Sequence, residues 1–268
     1  MYALIATDLD GTLLRSDHTI GARTRAALAG AAARGARHII VTGRSVTWTR
    51  TVLDDLGYTG LAVCGQGGQV YDAGAHRQLT SYPLDRDLAR RAIAMIETVT
   101  GPLRLAADRD GLDGAVLTGP GYRHDPVGNL PVVVTDTAGL WAAPVRKFYV
   151  QHPELSEDAL REVAARLVGH LVTVTTAGPG EIEILPLGLS KATGLAYAAG
   201  LLGVTGPETI AFGDMPNDAP MLAWAGHGVA MGGAHPGLKA IADEVAPGND
   251  DEGVALVLER ILAAEILN

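Results

Sequence analysis

Short apolar runs that stop on polar turn residues recur along the chain and set its expected order of elements. Tyr2 to Thr7 is such a run and ends at Asp8-Leu9-Asp10-Gly11-Thr12, which reads as a buried strand followed by a turn. From Thr24 to Arg34, Ala26, Leu28, Ala29 and Ala33 fall at helical spacing, with Gly35 as the stop. His38 to Val41 reads as a second strand before Thr42-Gly43-Arg44. Val46 to Leu56 reads as a helix closed by Gly57, and Leu61 to Cys64 as a third strand. This β-α-β-α-β order predicts a parallel sheet with helices on its faces.

The far end repeats the pattern. Lys191 to Leu202 is expected to be a helix, Thr209 to Phe212 a strand ending at Gly213-Asp214, and Pro216 to Ala225 a helix. Gly228 to Met231 follows as a strand, Val245 opens another, and Gly253 to Ile266 is a closing helix. The middle differs. Leu84 to Val99 and Ser156 to Leu167 read as helices, the second capped by Ser156 with acids in its first turn. Short β-like runs cover Leu103 to Ala107, Ala115 to Leu117, Pro131 to Thr135, Val145 to Val150, Leu171 to Thr176 and Glu181 to Leu185. In the last of these, Glu181, Glu183 and Leu185 alternate with Ile182, Ile184 and Pro186, which predicts a half-exposed strand. The expected architecture is α/β: a discontinuous Rossmann-like core over residues 1–82 and 186–268 with helices on both faces, and an α+β domain inserted over residues 83–185.

Composition narrows the function. At 268 residues, 47% hydrophobic and 19% charged, the chain can bury a sizeable core. Its formal charge of -9 and the lack of a basic run argue against nucleic acid as a partner. No uninterrupted apolar stretch approaches the ~18 residues of a membrane span, and the acidic start does not resemble a secretory signal. The single cysteine, Cys64, allows no intrachain disulfide. A cytoplasmic monomer or small homo-oligomer is the expectation.

The chemistry gathers at predicted strand ends, the edge where open parallel sheets carry their ligands. Asp8 and Asp10 are close enough to repel unless a cation lies between them, and hard oxygen ligands favour Mg²⁺. Asp214 ends another strand and can supply a further oxygen. Asn217 and Asp218 lie one turn on and can face back. Thr42 and the N–H of Gly43 can hold phosphate oxygens. Lys191 puts a positive charge at a helix N-terminus, a conflict that a nearby anion resolves. Gly65-Gln66-Gly67-Gly68 is not a dinucleotide fingerprint, because the required third glycine is Val70 and a strand follows.

Taken in order, Asp8-Leu9-Asp10-Gly11-Thr12, Thr42-Gly43, Lys191 and Gly213-Asp214-x-x-Asn217-Asp218 resemble the haloacid dehalogenase superfamily, and within it the Cof-type phosphatases with a C2 cap (subclass IIB). The resemblance covers the whole chain. It implies a Mg²⁺-dependent phosphomonoester hydrolase acting on a small phosphorylated metabolite. Asp8 is then the nucleophile that forms an aspartyl-phosphate, and Asp10 the general acid and base. Mg²⁺ is held by Asp8, Asp214 and the backbone carbonyl of Asp10. Leu9 through its N–H, Thr42, Gly43, Lys191 and Asn217 hold the phosphoryl group, while Asp218 orients Lys191. Such proteins often carry Asn-Gly-Ala where this chain has Gln66-Gly67-Gly68, so Gln66 is a candidate specificity residue. In the cap, Arg123 and His124 of Tyr122-Arg123-His124 are the foremost leaving-group candidates. Arg104, Arg109, Arg146 and Lys147 are further ones, each more commonly a solvated surface group. A phosphotransferase or phosphomutase using the same aspartate, and a non-catalytic binding protein of the same fold, are the alternatives.

Overall fold

The computed structural model describes residues 2–112, 114–123, 132–178 and 180–266. The first part of the chain holds β1 (Leu4–Thr7), α1 (Ala22–Ala32), β2 (Arg37–Val41), α2 (Val46–Asp55), β3 (Leu61–Cys64), β4 (Gln69–Asp72) and β5 (Arg77–Ser81). The middle holds α3 (Arg86–Thr100), β6 (Arg104–Arg109), β7 (Val116–Thr118), β8 (Val132–Val134), β9 (Val145–Gln151), α4 (Glu157–Val168), β10 (Thr173–Gly178) and β11 (Glu181–Leu185). The last part holds α5 (Lys191–Leu201), β12 (Thr209–Gly213), α6 (Ala219–Trp224), β13 (His227–Ala230), α7 (Pro236–Lys239), β14 (Glu244–Val245) and α8 (Gly253–Ile266).

Eight strands form one sheet in the order β14-β13-β12-β1-β2-β3-β4-β5. It is parallel from β14 to β3, and β4 and β5 extend it as antiparallel strands. All four residues of β1 are buried. A strand covered on both faces has no polar side to show, which is why Leu4-Ile5-Ala6-Thr7 reads as a continuous run. Thr7 lies opposite Phe212 on one side and Ile40 on the other, so Asp8 leaves the sheet between its neighbours' C-terminal ends.

Six strands form the second sheet, ordered β10-β11-β9-β6-β7-β8 and antiparallel except for the β7–β8 pair. α3 buries Ala89, Ala92, Ile93 and Ile96, a stripe at helical spacing, and Asp85 caps it by accepting from the N–H groups of Asp87 and Leu88. With Leu160 and Ala164 of α4, this stripe packs on Phe148 and Val150 of β9 and Ile182 and Ile184 of β11. The opposite face carries Lys147, Tyr149 and Glu183. It meets the loops after β2 and β3, where Lys147 bonds to Gly43 and Glu183 to Gln66.

Three sequence expectations need correcting. β11 is not half-exposed: Glu183 is 2% exposed, because the loops of the first sheet cover its face and Lys147 neutralises it. Arg146 and Lys147 are not solvated; they are 3% and 1% exposed and paired with Asp108 and Glu183. The helix expected from Pro216 begins at Ala219, because Pro216–Asp218 form a tighter turn that precedes it. β5 and α7 were not expected. No described helix is long and apolar enough to cross a membrane.

Candidate active site

The site assembles where β1 and β12 end side by side. Asp8 leaves β1 with its N–H donated to the Phe212 carbonyl at 2.9 Å, so its backbone stays in register with β12 while its side chain emerges at the edge. The chain then turns sharply through Leu9–Leu13, where Gly11 has φ 71°. A methyl group at Gly11 would overlap the Asp214 carboxylate, so this position needs both the left-handed backbone and the missing side chain. The Thr12 hydroxyl donates to Asp214 Oδ1 at 3.2 Å and holds that carboxylate beside the turn.

Lys191 enters from the first turn of α5. Ser190 caps this helix, and its hydroxyl and backbone N–H exchange bonds with Thr193 in a capping box. Lys191 Nζ donates to Asp8 Oδ1 and Asp218 Oδ1, each at 2.6 Å, and the lysine is 2% exposed. These two carboxylates answer the positive charge at the helix start. Asp218 Oδ2 accepts the N–H groups of Asp214 and Met215, each at 3.0 Å. Both Asp218 oxygens are therefore engaged, which suits it to orienting Lys191.

Asp8, Asp214 and Asp218 offer carboxylate oxygens that all lie within 4.8 Å of one another. Burial pushes the Asp8 carboxyl well above its usual range; Lys191 opposes this, and Asp218, Asp214 and Asp10 add to it. Burial and then Asp218 push Asp214 up to about 6. Burial works against the Lys191 charge, but Asp218 and Asp8 outweigh it and hold the ammonium above the usual lysine range. Three carboxylates thus share one ammonium, and the surplus negative charge on hard oxygens fits a divalent cation.

Asp10 is placed differently. Its side chain pairs with Arg44, whose Nε donates to Oδ2 at 2.7 Å while a second guanidinium nitrogen bonds Oδ1. The guanidinium lies 4.6 Å from the centre of the Trp48 ring. Thr42 is buried, and its hydroxyl accepts the Arg44 N–H at 3.1 Å. The Gly43 carbonyl accepts from Lys147 Nζ at 2.9 Å. The Gln66 side chain joins Glu183 at 2.6 Å and Asn217 at 3.0 Å. Leu9 is buried in the turn beside Asp8. Arg123 is not brought to this group. It is exposed, and its N–H bonds Gln151, four residues along β9 from Lys147 and so roughly 13 Å away. His124 lies outside the described residues. Arg44, Lys147 and Glu183 join the site without having been singled out for these roles. The position of Arg44 next to Thr42-Gly43 was the one usable signal.

A haloacid dehalogenase-like hydrolase family profile matches residues 5–258. The chain is 31% identical over 250 residues to an HMP-PP phosphatase of Serratia proteamaculans, covering 91% of this chain and 89% of that protein. It is 28% identical to a 5-amino-6-(5-phospho-D-ribitylamino)uracil phosphatase of Bacillus subtilis, covering 97% and 98%. Among solved structures, a haloacid dehalogenase-like hydrolase from Bacteroides thetaiotaomicron superposes with a TM-score of 0.76 at 25% identity, over 97% of this chain and 100% of that one. A subclass IIB sugar phosphatase of that superfamily superposes at 0.78 and 20% identity, over 96% and 98%, and so shares the fold. With the motifs, the two-sheet architecture and the match along nearly its full length, the chain belongs to the haloacid dehalogenase-like hydrolases and is a phosphatase of that family.

Proposed function

We propose that the protein is a Mg²⁺-dependent phosphomonoester hydrolase for a small phosphorylated metabolite, working through a phosphorylated Asp8. The observation that carries this reading is the buried contact of Asp8 with Lys191 at 2.6 Å beside the Asp214 carboxylate. An aspartate held this way is aimed, desolvated and next to an ammonium that can pair with a phosphoryl oxygen.

Asp8 and Asp214, with the backbone carbonyl of Asp10, would hold Mg²⁺, which when bound offsets the charge between carboxylate and phosphate. An Asp8 carboxylate oxygen attacks phosphorus, and the bond from phosphorus to the leaving oxygen breaks. Asp10 gives that oxygen its proton. Asp10 then takes a proton from water as the water attacks phosphorus, and the bond to Asp8 breaks to release phosphate. Both Asp10 oxygens lie on Arg44 here, so one of those bonds opens when substrate enters. Lys191, Thr42, the N–H groups of Leu9 and Gly43, and Asn217 hold the phosphoryl oxygens, and Asp218 aims Lys191.

The relatives named for HMP-PP and for 5-amino-6-(5-phospho-D-ribitylamino)uracil support a small substrate. Those compounds and sugar phosphates form the first panel to assay for released phosphate, with Mg²⁺ and with chelator. The expected result is Mg²⁺-dependent release that falls by at least about a thousandfold in Asp8→Asn. Release that survives this change would mean another nucleophile. Conversion of a sugar phosphate to its isomer without free phosphate would mean a mutase.

A further inference from the structure

Lys147, Glu183, Gln66 and Asn217 form one buried chain from the second sheet to the phosphate side of the first. Their exposures are 1%, 2%, 1% and 7%. Lys147 pairs with Glu183 Oε1, Gln66 Nε2 donates to Glu183 Oε2 at 2.6 Å, and Asn217 Nδ2 donates to Gln66 Oε1 at 3.0 Å.

The direction of every bond in this chain is fixed from one end. A carboxylate paired with an ammonium only accepts hydrogen bonds. Gln66 must therefore turn its N–H₂ to Glu183, which leaves its oxygen for Asn217. Asn217 must answer with its own N–H₂; the flipped amide would set two oxygens against each other. Asn217 Oδ1 is buried and accepts no bond among the described residues, so its own hydrogen bonding does not decide the orientation. An amide next to a phosphoryl group has to present N–H and not oxygen, and here that choice is dictated from the second sheet.

Gln66 is shaped for this task at a cost in backbone comfort. It sits at φ 60°, ψ 28°, a left-handed conformation that asparagine adopts several-fold more readily than glutamine. Asparagine is also about 1.5 Å shorter, one carbon–carbon bond, and could not span both partners. The loop leaves no slack, since a methyl group on Gly43 would press on the Gln66 amide.

We infer that Glu183 and Gln66 are positioning residues that set the hydrogen-bond polarity of Asn217, so that the phosphate cradle is correctly poled only when the second sheet is seated on the first. This rests on the reading of Asn217 as a phosphate ligand.

Binding of inorganic phosphate to the Mg²⁺-loaded full chain, measured by calorimetry, tests it alongside thermal unfolding. Gln66→Met keeps the volume and removes both bonds, and Gln66→Asn relieves the backbone but loses the reach. Both are expected to bind phosphate about tenfold more weakly, or worse, the worth of a bond to a charged group. Gln66→Asn is expected to lose more affinity than its fall in melting temperature accounts for. Glu183→Gln should weaken phosphate binding as well, with the double variant Glu183→Gln, Gln66→Met no weaker than Gln66→Met alone. Affinities within twofold of the parent would overturn the inference. So would additive losses, or losses that simply follow the melting temperatures. If the parent binds phosphate but hydrolyses nothing in the panel, the hydrolase reading falls, and the relay is still decided by these affinities.

Discussion

At Lys191 an ammonium and two carboxylates are buried together, so the cost of removing one charge falls on the others. Lys191→Met would leave Asp8 and Asp218 facing each other without a counter-charge. Breaking a buried pair this way typically costs about 3–5 kcal/mol. Urea unfolding in chelator should show a loss of that order, and saturating Mg²⁺ should return part of it by neutralising Asp8. A variant as stable as the parent in chelator would mean the ion pairs contribute nothing. The strings holding Asp8, Lys191, Asp214 and Asp218 were legible because each follows a strand or opens a helix, and local pattern is enough to place it. The partners of Gln66 were not. Glu183 lies 117 positions away, and only the packing of one sheet on another makes them neighbours. Arg44 is similar, since its pairing with Asp10 depends on the turn at Gly11.

Among the elements, α5 matters most to the site because it carries Lys191 in its first turn. Ser190→Ala removes its side-chain cap and should cost about 1 kcal/mol by thermal or urea unfolding. A larger fractional loss of phosphate release than of stability is expected, since fraying begins at Lys191. β2, next to β1 in the sheet, carries a pH dependence. His38 bonds the Thr7 hydroxyl at 2.9 Å and packs edge-on to Tyr58. Burial lowers its ring from 6.5 to about 4. The unfolded chain then takes up the proton first, so this contribution is complete above pH 6.5 and drains away as pH falls towards 4. The slope is at most about 1.4 kcal/mol per pH unit for one proton, and less for this half-buried ring. Urea midpoints between pH 7 and 4.5 should fall less steeply in His38→Gln than in the parent; equal slopes would exclude the ring as the cause. Elements with strong burial patterns, such as β1 and α3, were readable from sequence. β5 was not, because Arg77–Ser81 is partly exposed throughout and shows no alternation, and α7 is only four residues long.

At the scale of the whole molecule, the chain passes between its two sheets near Tyr82 and again near Leu187, which are 47% and 61% exposed. Between these crossings the sheets are joined by polar contacts, with Lys147 bonded to Gly43 and Thr47 to the Leu112 carbonyl at 2.7 Å. Lys147→Met strands the Glu183 charge and should favour separation of the sheets. Limited proteolysis is expected to cut several-fold faster near the two crossings, and an unchanged rate would show that the contact does not hold them together. The strand order has a further consequence during synthesis. β1 sits at the centre of the larger sheet, between β2 and β12, yet it is made first, and β12 begins only at Thr209. At ~5–20 residues per second, about 10–40 s pass before β12 emerges from the ribosome. Through that interval the nascent chain shows a bare apolar edge, with Asp8 and no carboxylate partner from the far end, so the enzyme comes into being only as its last third is translated.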